Sequence, residues 1–592
     1  PQTHNQRTSS FYNMAQVSDY QKYGIRYNYN HGYLDGVEFN QRKNFYHKPL
    51  ASVNWEYKID DTSNLSASVY YSIGRGGGTG DIGRLGGKYA SDKAFRNAKG
   101  EVNWDKIFLS NSGNQTDFYN GFSYGNKVDS TTGLFIVNDQ DERTPAVDHR
   151  RNGIVRRASM NSHNFLGSLI NLKKTLSDRL TIDGGFDLRS YKGIHYRRID
   201  HLLGADGYRD FDDKNYAGGS AVRTKTYSSN LGKIWNVFKS TDDEEKIDYH
   251  NDGLVRWTGA FTQLQYKHNK LAAFLQAAFS NQGFQRVEYF NQVGVAKSEW
   301  KNITGGNLKA GVNYNFDAKS NLYVNGGVYS KQPNFDAVWI NYRNELNPDL
   351  KNESVTGMEA GYGYNSGKLR VNVNVYKTTW EDRFLSDGIR LPNGDRGSAN
   401  YYGIKQVHSG FEFDGEYEIS SFVSLQGMLS LGNYEYGSDV TADVFDNQRE
   451  EIGTKTLFLD GVKVGDAAQT TSRINLKVSP TDLFKFNVSM FSAKKLFANF
   501  NPEDFDAPGD SAMQLPSYEL FDLGASYNLS VAGEKVYVRF NMNNVFDTHY
   551  ISESATNYKA DPGQPTFLGV NTRNRAFPGW GRSWNLGFTY RF

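Results

Sequence analysis

Acidic residues cluster in one short stretch of the chain, where Asp242, Asp243, Glu244 and Asp248 lie close together in sequence. Hard cations such as Ca²⁺ bind several carboxylate oxygens, so this stretch could hold a loop-bound calcium ion. Its spacing is not that of an EF-hand, and a run of acidic residues is more often a solvated loop. The sequence therefore favours a solvated loop, with a calcium site as the alternative.

Aromatic residues mark the segments between the candidate strands. An exposed aromatic face can stack on sugars or on the aromatic groups of siderophores, so these residues are candidates for substrate binding. The alternatives are packing of loop against loop or an aromatic belt at a membrane interface. The candidates are Trp235, Trp300, Trp339, Tyr342, Tyr401 and Tyr402.

The sequence contains none of the motifs that would indicate an enzyme. The serine-hydrolase, zinc-protease and phosphate-loop patterns are all missing, and the lack of cysteine excludes thiolate metal sites. A glycine run, GRGGGTGDIG at 74–83, lacks the Lys-Ser/Thr pair of a phosphate-binding loop. We interpret this run as a flexible outer loop and expect no catalytic site and no certain cofactor.

The elements that carry these residues show strict alternation of apolar and polar side chains. In the last ten residues, Trp584, Leu586, Phe588, Tyr590 and Phe592 point one way and the polar residues between them point the other. No run approaches the ~20 consecutive apolar residues of a spanning helix. A closed antiparallel barrel can also cross a membrane and shows only this weaker signal.

Composition agrees with a large barrel. The chain has 592 residues, with 59 glycines, 39 tyrosines, 13 prolines and a mean hydropathy of −0.66. This length exceeds the ~250–300 residues at which a single soluble core stops growing, a limit that a one-sheet wall does not share. The net charge of +2, from 67 basic and 65 acidic residues, does not indicate nucleic-acid binding.

The connections between the candidate strands alternate in length, which is typical of outer-membrane barrels with short periplasmic turns and long extracellular loops. Short turns lie at 60–64, 174–179, 267–270, 317–321, 365–368, 479–483 and 530–534. Long connections lie at 74–162, 192–253, 283–304, 331–354, 381–404, 434–469, 493–519 and 544–582. The pattern predicts about 17 transmembrane strands, and it disfavours a propeller or tandem sandwiches.

Several segments resemble the barrel of TonB-dependent outer-membrane transporters, most closely the Bacteroidetes-type receptors. The most specific are NPDLKNE within 347–353 and NNVFDTHYI within 543–551, and the chain closes with GWGRSWNLGFTYRF. Barrels of this family have 22 strands and a plugged lumen. The resemblance implies that residues 1–592 are the C-terminal, barrel part of such a receptor, with the plug and the first strands outside this chain.

The resemblance implies a function as well. It predicts uptake of a large nutrient ligand across a Gram-negative outer membrane, energised by the TonB–ExbB–ExbD complex, with the loops extracellular and the C-terminus periplasmic. The ligand could be a glycan, a peptide or an iron chelate, and a surface lipoprotein is a candidate partner besides the lipid bilayer. A passive porin-like channel and a surface-display or adhesin barrel are the alternatives.

Overall fold

An antiparallel sheet dominates the protein. The computed structural model describes residues 2–6, 14–118, 122–138, 152–229, 234–391, 396–446, 450–499, 504–531 and 534–591. The main sheet contains 22 strands, of which five are short strands in the connections. The other seventeen form a continuous wall, in which each strand pairs with its neighbours in chain order. The number agrees with the prediction of about 17.

The wall strands are numbered here in chain order. They are β1 (Leu50–Lys58), β2 (Ser63–Leu85), β3 (Asn152–Ser177), β4 (Leu180–His201), β5 (Ile247–His268), β6 (Leu271–Glu288), β7 (Lys301–Asn315), β8 (Ser320–Lys331), β9 (Glu353–Asn365), β10 (Leu369–Arg390), β11 (Arg396–Ser420), β12 (Val423–Tyr436), β13 (Thr470–Val478), β14 (Phe484–Lys494), β15 (Tyr518–Val531), β16 (Glu534–Asn543) and β17 (Ser583–Arg591). All their pairings are antiparallel, with β-bulges where β3 meets β4 and where β10 meets β11.

The remaining elements are short and lie in the connections. Five strands extend the main sheet: Gln2–Gln6, Lys43–His47, Ala296–Lys297, Val440–Phe445 and Glu451–Leu457. The helices are α1 (Val17–Tyr23), α2 (Trp104–Asn111) and α3 (Phe335–Val338), with 3₁₀ turns at Lys93–Phe95 and Ile234–Phe238. Within the described ranges, no helix combines the length and the apolar character needed to cross a membrane.

Small sheets order the connections further. Two have three strands: Ile136–Asn138 with Gly207–Asp210 and Ala221–Arg223, and Gly32–Leu34 with Val37–Glu38 and Val102–Asn103. The two-stranded ones are Thr116–Asp117 with Ser123–Tyr124, Trp339–Ile340 with Glu345–Leu346, Leu496–Phe497 with Gln514–Leu515, Ile551–Ser554 with Ala576–Pro578, and Thr566–Phe567 with Val570–Asn571.

One end of the wall, which we call the turn end, carries the tight connections. Strands β3 and β4 are joined by residues 178–179, β5 and β6 by 269–270, and β11 and β12 by 421–422. The opposite end, the loop end, carries the long connections, including 86–151, 202–246 and 544–582. The predicted alternation of short and long connections is therefore present in the structure.

The two faces of the wall differ in chemistry. The outward face exposes aliphatic and aromatic side chains, for example Val53, Val324 and Phe588, as expected for contact with lipid. The inward face carries cross-strand hydrogen bonds, in which Asn325 donates to Glu359 at 2.6 Å and Asn541 donates to Asn585 at 2.9 Å. Strand alternation produces this division, because successive side chains point to opposite faces.

Apolar cores lie at the loop end, beneath the connections. One cluster surrounds Tyr401, with Ile389, Ala399, Leu457 and Phe505. A second contains Trp104 and Ile107 of α2, and a third holds Val17 of α1 against Leu496, Leu515 and Ile551. These cores hold the connections against the upper parts of the strands.

Two predicted loops are wrong in the structure, because the wall strands continue far beyond the alternating segments. The predicted connection 381–404 is mostly strand: β10 runs to Arg390 and β11 begins at Arg396. The glycine run 74–83 is not a flexible loop but the upper half of β2, paired with β3. An alanine at Gly77 would place its Cβ 2.4 Å from the carbonyl oxygen of Ser159, so the close pairing requires glycine there.

Candidate functional site

The six aromatic candidates divide into exposed, partly buried and buried residues. Trp235 is 69% exposed in the Ile234–Phe238 turn, where its ring stacks on that of Phe238 at 6.3 Å. Tyr342 is 68% exposed. Its backbone and that of the preceding Asn341 are left-handed, with φ angles of 54 and 56 degrees. Trp300 is partly buried and lies 4.1 Å from the guanidinium of Arg256.

The other three candidates pack into the protein. Trp339 is 6% exposed and contacts the apolar cluster of Phe284 and Val338. Tyr402 packs on Phe384 at 5.3 Å, and burial raises the pKa of its phenol. Tyr401 and Tyr402 both lie on strand β11, and Tyr401 is fully buried, so the prediction that these two residues sit in a loop is wrong.

The structure brings two of the candidates together. Trp339 and Tyr342 line one small cavity of about 190 Å³, together with Phe384, which contacts Tyr402. Trp235 and Trp300 lie on other connections, and Tyr401 faces the core around Leu457. The predicted residues therefore do not form a single binding surface.

The acidic stretch is bound by arginines. Glu244 forms an ion pair with Arg198 and accepts a hydrogen bond from the Tyr196 hydroxyl at 2.5 Å. Asp248 forms an ion pair with Arg197. It lies at the start of β5 and not in a loop.

The other two carboxylates of the stretch point elsewhere. Asp242 accepts a hydrogen bond from Ser240 at 3.0 Å, and Asp243 is exposed. Within the described ranges, no three acidic or histidine side chains converge in a geometry suited to a metal ion. The four carboxylates are thus not arranged around a common centre.

A larger cavity lies at the loop end, formed by segments that the sequence did not single out. Its volume is about 870 Å³, within the ~300–1,000 Å³ typical of ligand sites. Helix α1, residues 89–98 and Arg575 surround it, and we call it the tyrosine cavity. Its four tyrosines are Tyr23, Tyr27, Tyr29 and Tyr89.

Helix α1 is held in place by the last long connection of the chain. The Val17 backbone donates a hydrogen bond to the Asn574 carbonyl at 2.8 Å, and the Tyr20 hydroxyl donates to the Ala576 carbonyl at 3.0 Å. Asp19 accepts a hydrogen bond from the Gln16 backbone at 3.1 Å, which caps the first turn. These contacts join residues more than 500 positions apart and fix one wall of the cavity.

Arg96 organises the tyrosines. Its guanidinium stacks on the Tyr29 ring at 3.8 Å and donates hydrogen bonds to the Tyr27 hydroxyl at 3.0 Å and the Gly100 carbonyl at 2.7 Å. The Tyr27 hydroxyl in turn donates to the Gly100 carbonyl at 2.6 Å, and burial raises the pKa of this phenol. Tyr23 and Tyr27 face each other with ring centroids 4.9 Å apart.

The charge of the tyrosine cavity is positive. Its lining includes four basic side chains, Lys22, Lys93, Arg96 and Arg575, against the two carboxylates of Asp19 and Asp92. Asp19 is engaged in the helix cap, and Asp92 accepts a hydrogen bond from the Ala94 backbone at 2.9 Å. Aromatic faces beside a majority of basic side chains suit a ligand with rings or sugars and a negative charge.

The cavity could have been suspected from the alternating tyrosines at 23, 27 and 29, but its other wall comes from distant segments. Arg96 and Arg575 are separated from those tyrosines by long stretches of sequence. The wall strands bring these distant segments together, so the sequence alone does not show that they meet.

The chain belongs to the family of TonB-dependent receptor-like β-barrels. The family model "TonB dependent receptor-like, beta-barrel" matches residues 1–545. This family places the chain in the outer membrane of Gram-negative bacteria. None of the curated proteins matches the sequence.

Solved structures with the same fold include three receptors and transporters. The ferric-catecholate import receptor Fiu from E. coli K12 is 11% identical, with a TM-score of 0.56 over 100% of this chain and 71% of its own. The ferric citrate transporter FecA is 10% identical, with a TM-score of 0.57 over 98% and 65%. The copper transporter OprC is 11% identical, with a TM-score of 0.55 over 93% and 67%. The chain thus spans about two thirds of their length.

Proposed function

We propose that this chain forms the barrel wall of an outer-membrane transporter that captures a large ligand at the loop end and passes it inward, energised by the TonB–ExbB–ExbD complex. The loop end then faces the outside of the cell, and the turn end and the C-terminus face the periplasm. The tyrosine cavity is the observation that supports this function best. A ligand-sized, positively charged cavity above a polar inner wall is what capture followed by passage requires.

The chemistry of the tyrosine cavity narrows the range of ligand classes that we propose. Among glycans, peptides and iron chelates, the excess of cations favours a ligand that carries negative charge, and the four tyrosines favour rings or sugar faces. The related structures are named for ferric-catecholate, ferric citrate and copper transport, so their names do not agree on one ligand. A surface lipoprotein partner and a loop-bound calcium ion stay predictions.

Uptake by cells tests the proposal. A strain that lacks the gene is compared with its parent for growth on iron-limited medium and on single glycans or peptides, with and without a functional TonB protein. The proposal expects a growth defect on one nutrient that loss of TonB reproduces. Uptake that persists without TonB, together with conductance in planar bilayers, would instead indicate a passive channel.

Two variants locate the capture step. Tyr23→Ala removes an aromatic face of the tyrosine cavity and is expected to raise the ligand concentration needed for half-maximal uptake. The matched control is Tyr33→Ala, because Tyr33 is an exposed tyrosine of the same region that does not line the cavity. Equal loss in both variants would place capture elsewhere.

A further inference from the structure

A second cavity lies on the inner face of the wall near the loop end, and its lining is strongly basic. It has a volume of about 400 Å³ and is formed by residues 42–48, the glycines at 76–78 and the upper part of β3. Its charged lining residues are Arg42, Lys43, Lys48 and Arg157, and no carboxylate lines it among the described residues. We call it the basic cavity.

The basic cavity opens toward the lumen. Arg157, Ser159 and Asn161 line it from alternate positions of β3, and alternation places them on the face that carries Asn171 further along the strand. In the register of β3 with β2, Asn171 lies opposite Ser66, which belongs to the inner face of β2. A molecule that enters the barrel therefore passes this cavity.

Arg157 is a buried cation that lacks a carboxylate partner among the described residues. Arg157 is only 8% exposed, and its Nη1 donates a hydrogen bond to the Gly78 carbonyl at 3.3 Å. Its Nε is buried and finds no hydrogen-bond acceptor in the described part of the chain. Burial, with Arg197 and Arg42 adding to it and Asp81 opposing it, lowers the pKa of Arg157 to about 9, so the group is still charged at neutral pH.

Three other arginines on the loop-end parts of the wall strands form ion pairs. Arg156, the preceding residue, binds the Asp200 carboxylate at 2.6 Å, and Arg286 binds Glu288 at 2.5 Å. Arg197 has Asp248. An unpaired buried charge costs several kcal/mol, so the contrast with Arg157 calls for a negative group that the described residues do not provide.

The nearest carboxylate on β2 is already engaged. Asp81 accepts hydrogen bonds from the Gln41 side chain at 2.6 Å and from the Ala90 backbone at 3.3 Å. It follows Gly80 on the strand, and alternation directs it to the other face. Asp81 therefore acts on the charge of Arg157 without forming an ion pair with it.

Gly80 provides an independent observation. A Cβ at this position would lie 2.5 Å from Nη1 of Arg42 and 2.9 Å from Cζ of Arg157. The backbone of Gly80 does not have a positive φ, so its conformation does not demand glycine. The missing side chain instead lets two guanidinium groups converge over the strand, against their mutual repulsion.

We propose that the basic cavity binds a tetrahedral oxyanion, a phosphate or sulfate group, held by the guanidinium groups of Arg42 and Arg157 with Lys48 beside them. Two converging guanidinium forks match the oxygen geometry of such a group, and charge-assisted hydrogen bonds are among the strongest that side chains form. The volume of about 400 Å³ exceeds that of a bare ion and leaves room for the part of a ligand that carries it.

This inference rests on the proposed function, and it specifies the imported ligand as one that bears phosphate or sulfate. It also predicts the order in which an imported ligand meets the two cavities. The tyrosine cavity contacts rings or sugars at the rim, and the basic cavity receives the anionic group at the wall.

Binding to the purified full-length protein in detergent micelles tests the proposal. Isothermal titration at constant ionic strength uses inorganic phosphate, inorganic sulfate, glucose 6-phosphate and glucose as probes. The parent protein is expected to bind at least one oxyanion and not glucose. Arg157→Gln should lower that affinity by about tenfold or more, since it removes a charge-assisted contact.

Two further variants separate the site from general charge. Gly80→Ala keeps every charge but pushes the two guanidinium groups apart, so it should weaken oxyanion binding to a similar extent. Lys174→Gln removes one charge from the exposed turn end of the same strand, and it should bind like the parent. Binding that survives in Arg157→Gln, or its absence in the parent, overturns the proposal.

Thermal stability gives a readout that a structural role would not produce. If Arg157 awaits an anion, Arg157→Gln should melt at the same temperature as the parent or higher in oxyanion-free buffer, and only the parent should gain stability when phosphate is added. An equal loss of stability with and without oxyanion would assign Arg157 to the structure and overturn the proposal. Tighter binding of glucose 6-phosphate than of inorganic phosphate would identify a ligand-borne group, and the reverse would identify the free ion.

The two proposals can fail separately. Oxyanion binding without an uptake defect in the deletion strain would leave the basic cavity in place and overturn the transport function. A TonB-dependent uptake defect without oxyanion binding would do the opposite.

Discussion

The two halves of a single wall strand have different surroundings. On β3, Leu166, Ile170 and Leu172 of the turn half are exposed on the outward face. Toward the loop end of the same strand, the neighbours Ile154 and Val155 are both fully buried, so both faces are covered. The turn half thus contacts lipid on one face and a polar lumen on the other. The half near the loop end, which we call the upper half, is packed on both faces like a strand in the core of a soluble protein.

This difference changes how much an ion pair contributes to the free energy of unfolding. In the turn half, charged pairs face the lumen and remain partly solvated, as Arg189 and Asp187 do. In the upper half, ion pairs such as Arg156 and Asp200 are buried. Electrostatic contacts of the same kind should therefore contribute little in one half and much in the other.

The largest expected effect comes from breaking the buried pair. Asp200→Ala leaves the Arg156 guanidinium buried without its partner and also removes the acceptor of the Ser229 backbone amide at 2.7 Å. We expect a loss of about 3–5 kcal/mol in the free energy of unfolding, measured by denaturant titration in micelles. Asp187→Ala, in the turn half of the same strand, should cost only about 0–1 kcal/mol. Equal losses would contradict the comparison.

The outward face of the turn half should reject charge. Val324 on β8 is 53% exposed on that face, so Val324→Arg places a cation against lipid. We expect a loss of about 2–4 kcal/mol in unfolding free energy measured in phospholipid bilayers. Asn325→Arg is the control, because its side chain faces the lumen and can pair with Glu359. A tolerated arginine at position 324 would argue against lipid contact there.

A third test compares two glycines of the wall. Gly77→Ala, in the upper half, forces a Cβ to within 2.4 Å of the Ser159 carbonyl and should destabilise the protein by about 1–3 kcal/mol. Gly587 on β17 has open space around its Cβ position, so Gly587→Ala should stabilise by about 0.4–1 kcal/mol through the unfolded state. Denaturant midpoints of the two variants measure the difference, and shifts of the same sign would contradict it.

The same division explains what the sequence could predict. Alternation along residues such as Leu322, Val324 and Val328 correctly indicated the turn half, because lipid on one face and water on the other impose a period of two. In the upper half both faces are buried, so Ile154 and Val155 carry no alternation. The glycines of β2 have no side chain to alternate, so the sequence predicts a loop where the structure has a strand.

The functional residues were hard to predict for a related reason. The segment around Tyr401 lacks alternation and therefore predicts a loop, yet Tyr401 packs in a core built from three connections. The acidic stretch at 242–248 gave no sign of its arginine partners, which lie on the neighbouring strand β4. Both cavities depend on pairings between strands and connections that only the folded wall establishes.

The smallest effect at neutral pH comes from a half-buried histidine of the upper half. The His250 ring stacks on the Tyr289 ring at 4.1 Å. Burial, with Lys246 and Lys192 adding to it, lowers the pKa of His250 to about 3. Above its unfolded pKa of about 6.5 the group is neutral in both states and contributes no pH dependence.

Acid should reveal this histidine. Between pH ~6.5 and 3 the unfolded chain binds a proton that the folded protein does not, so stability falls as pH falls, by at most about 1.4 kcal/mol per pH unit and less because the ring is partly solvated. His250→Phe should flatten this part of the curve of unfolding free energy against pH. His268→Phe, at the turn end of the same strand, should retain the acid dependence of the parent. Identical curves for His250→Phe and the parent would show that the upper half is open to water, contrary to the contrast between the two halves.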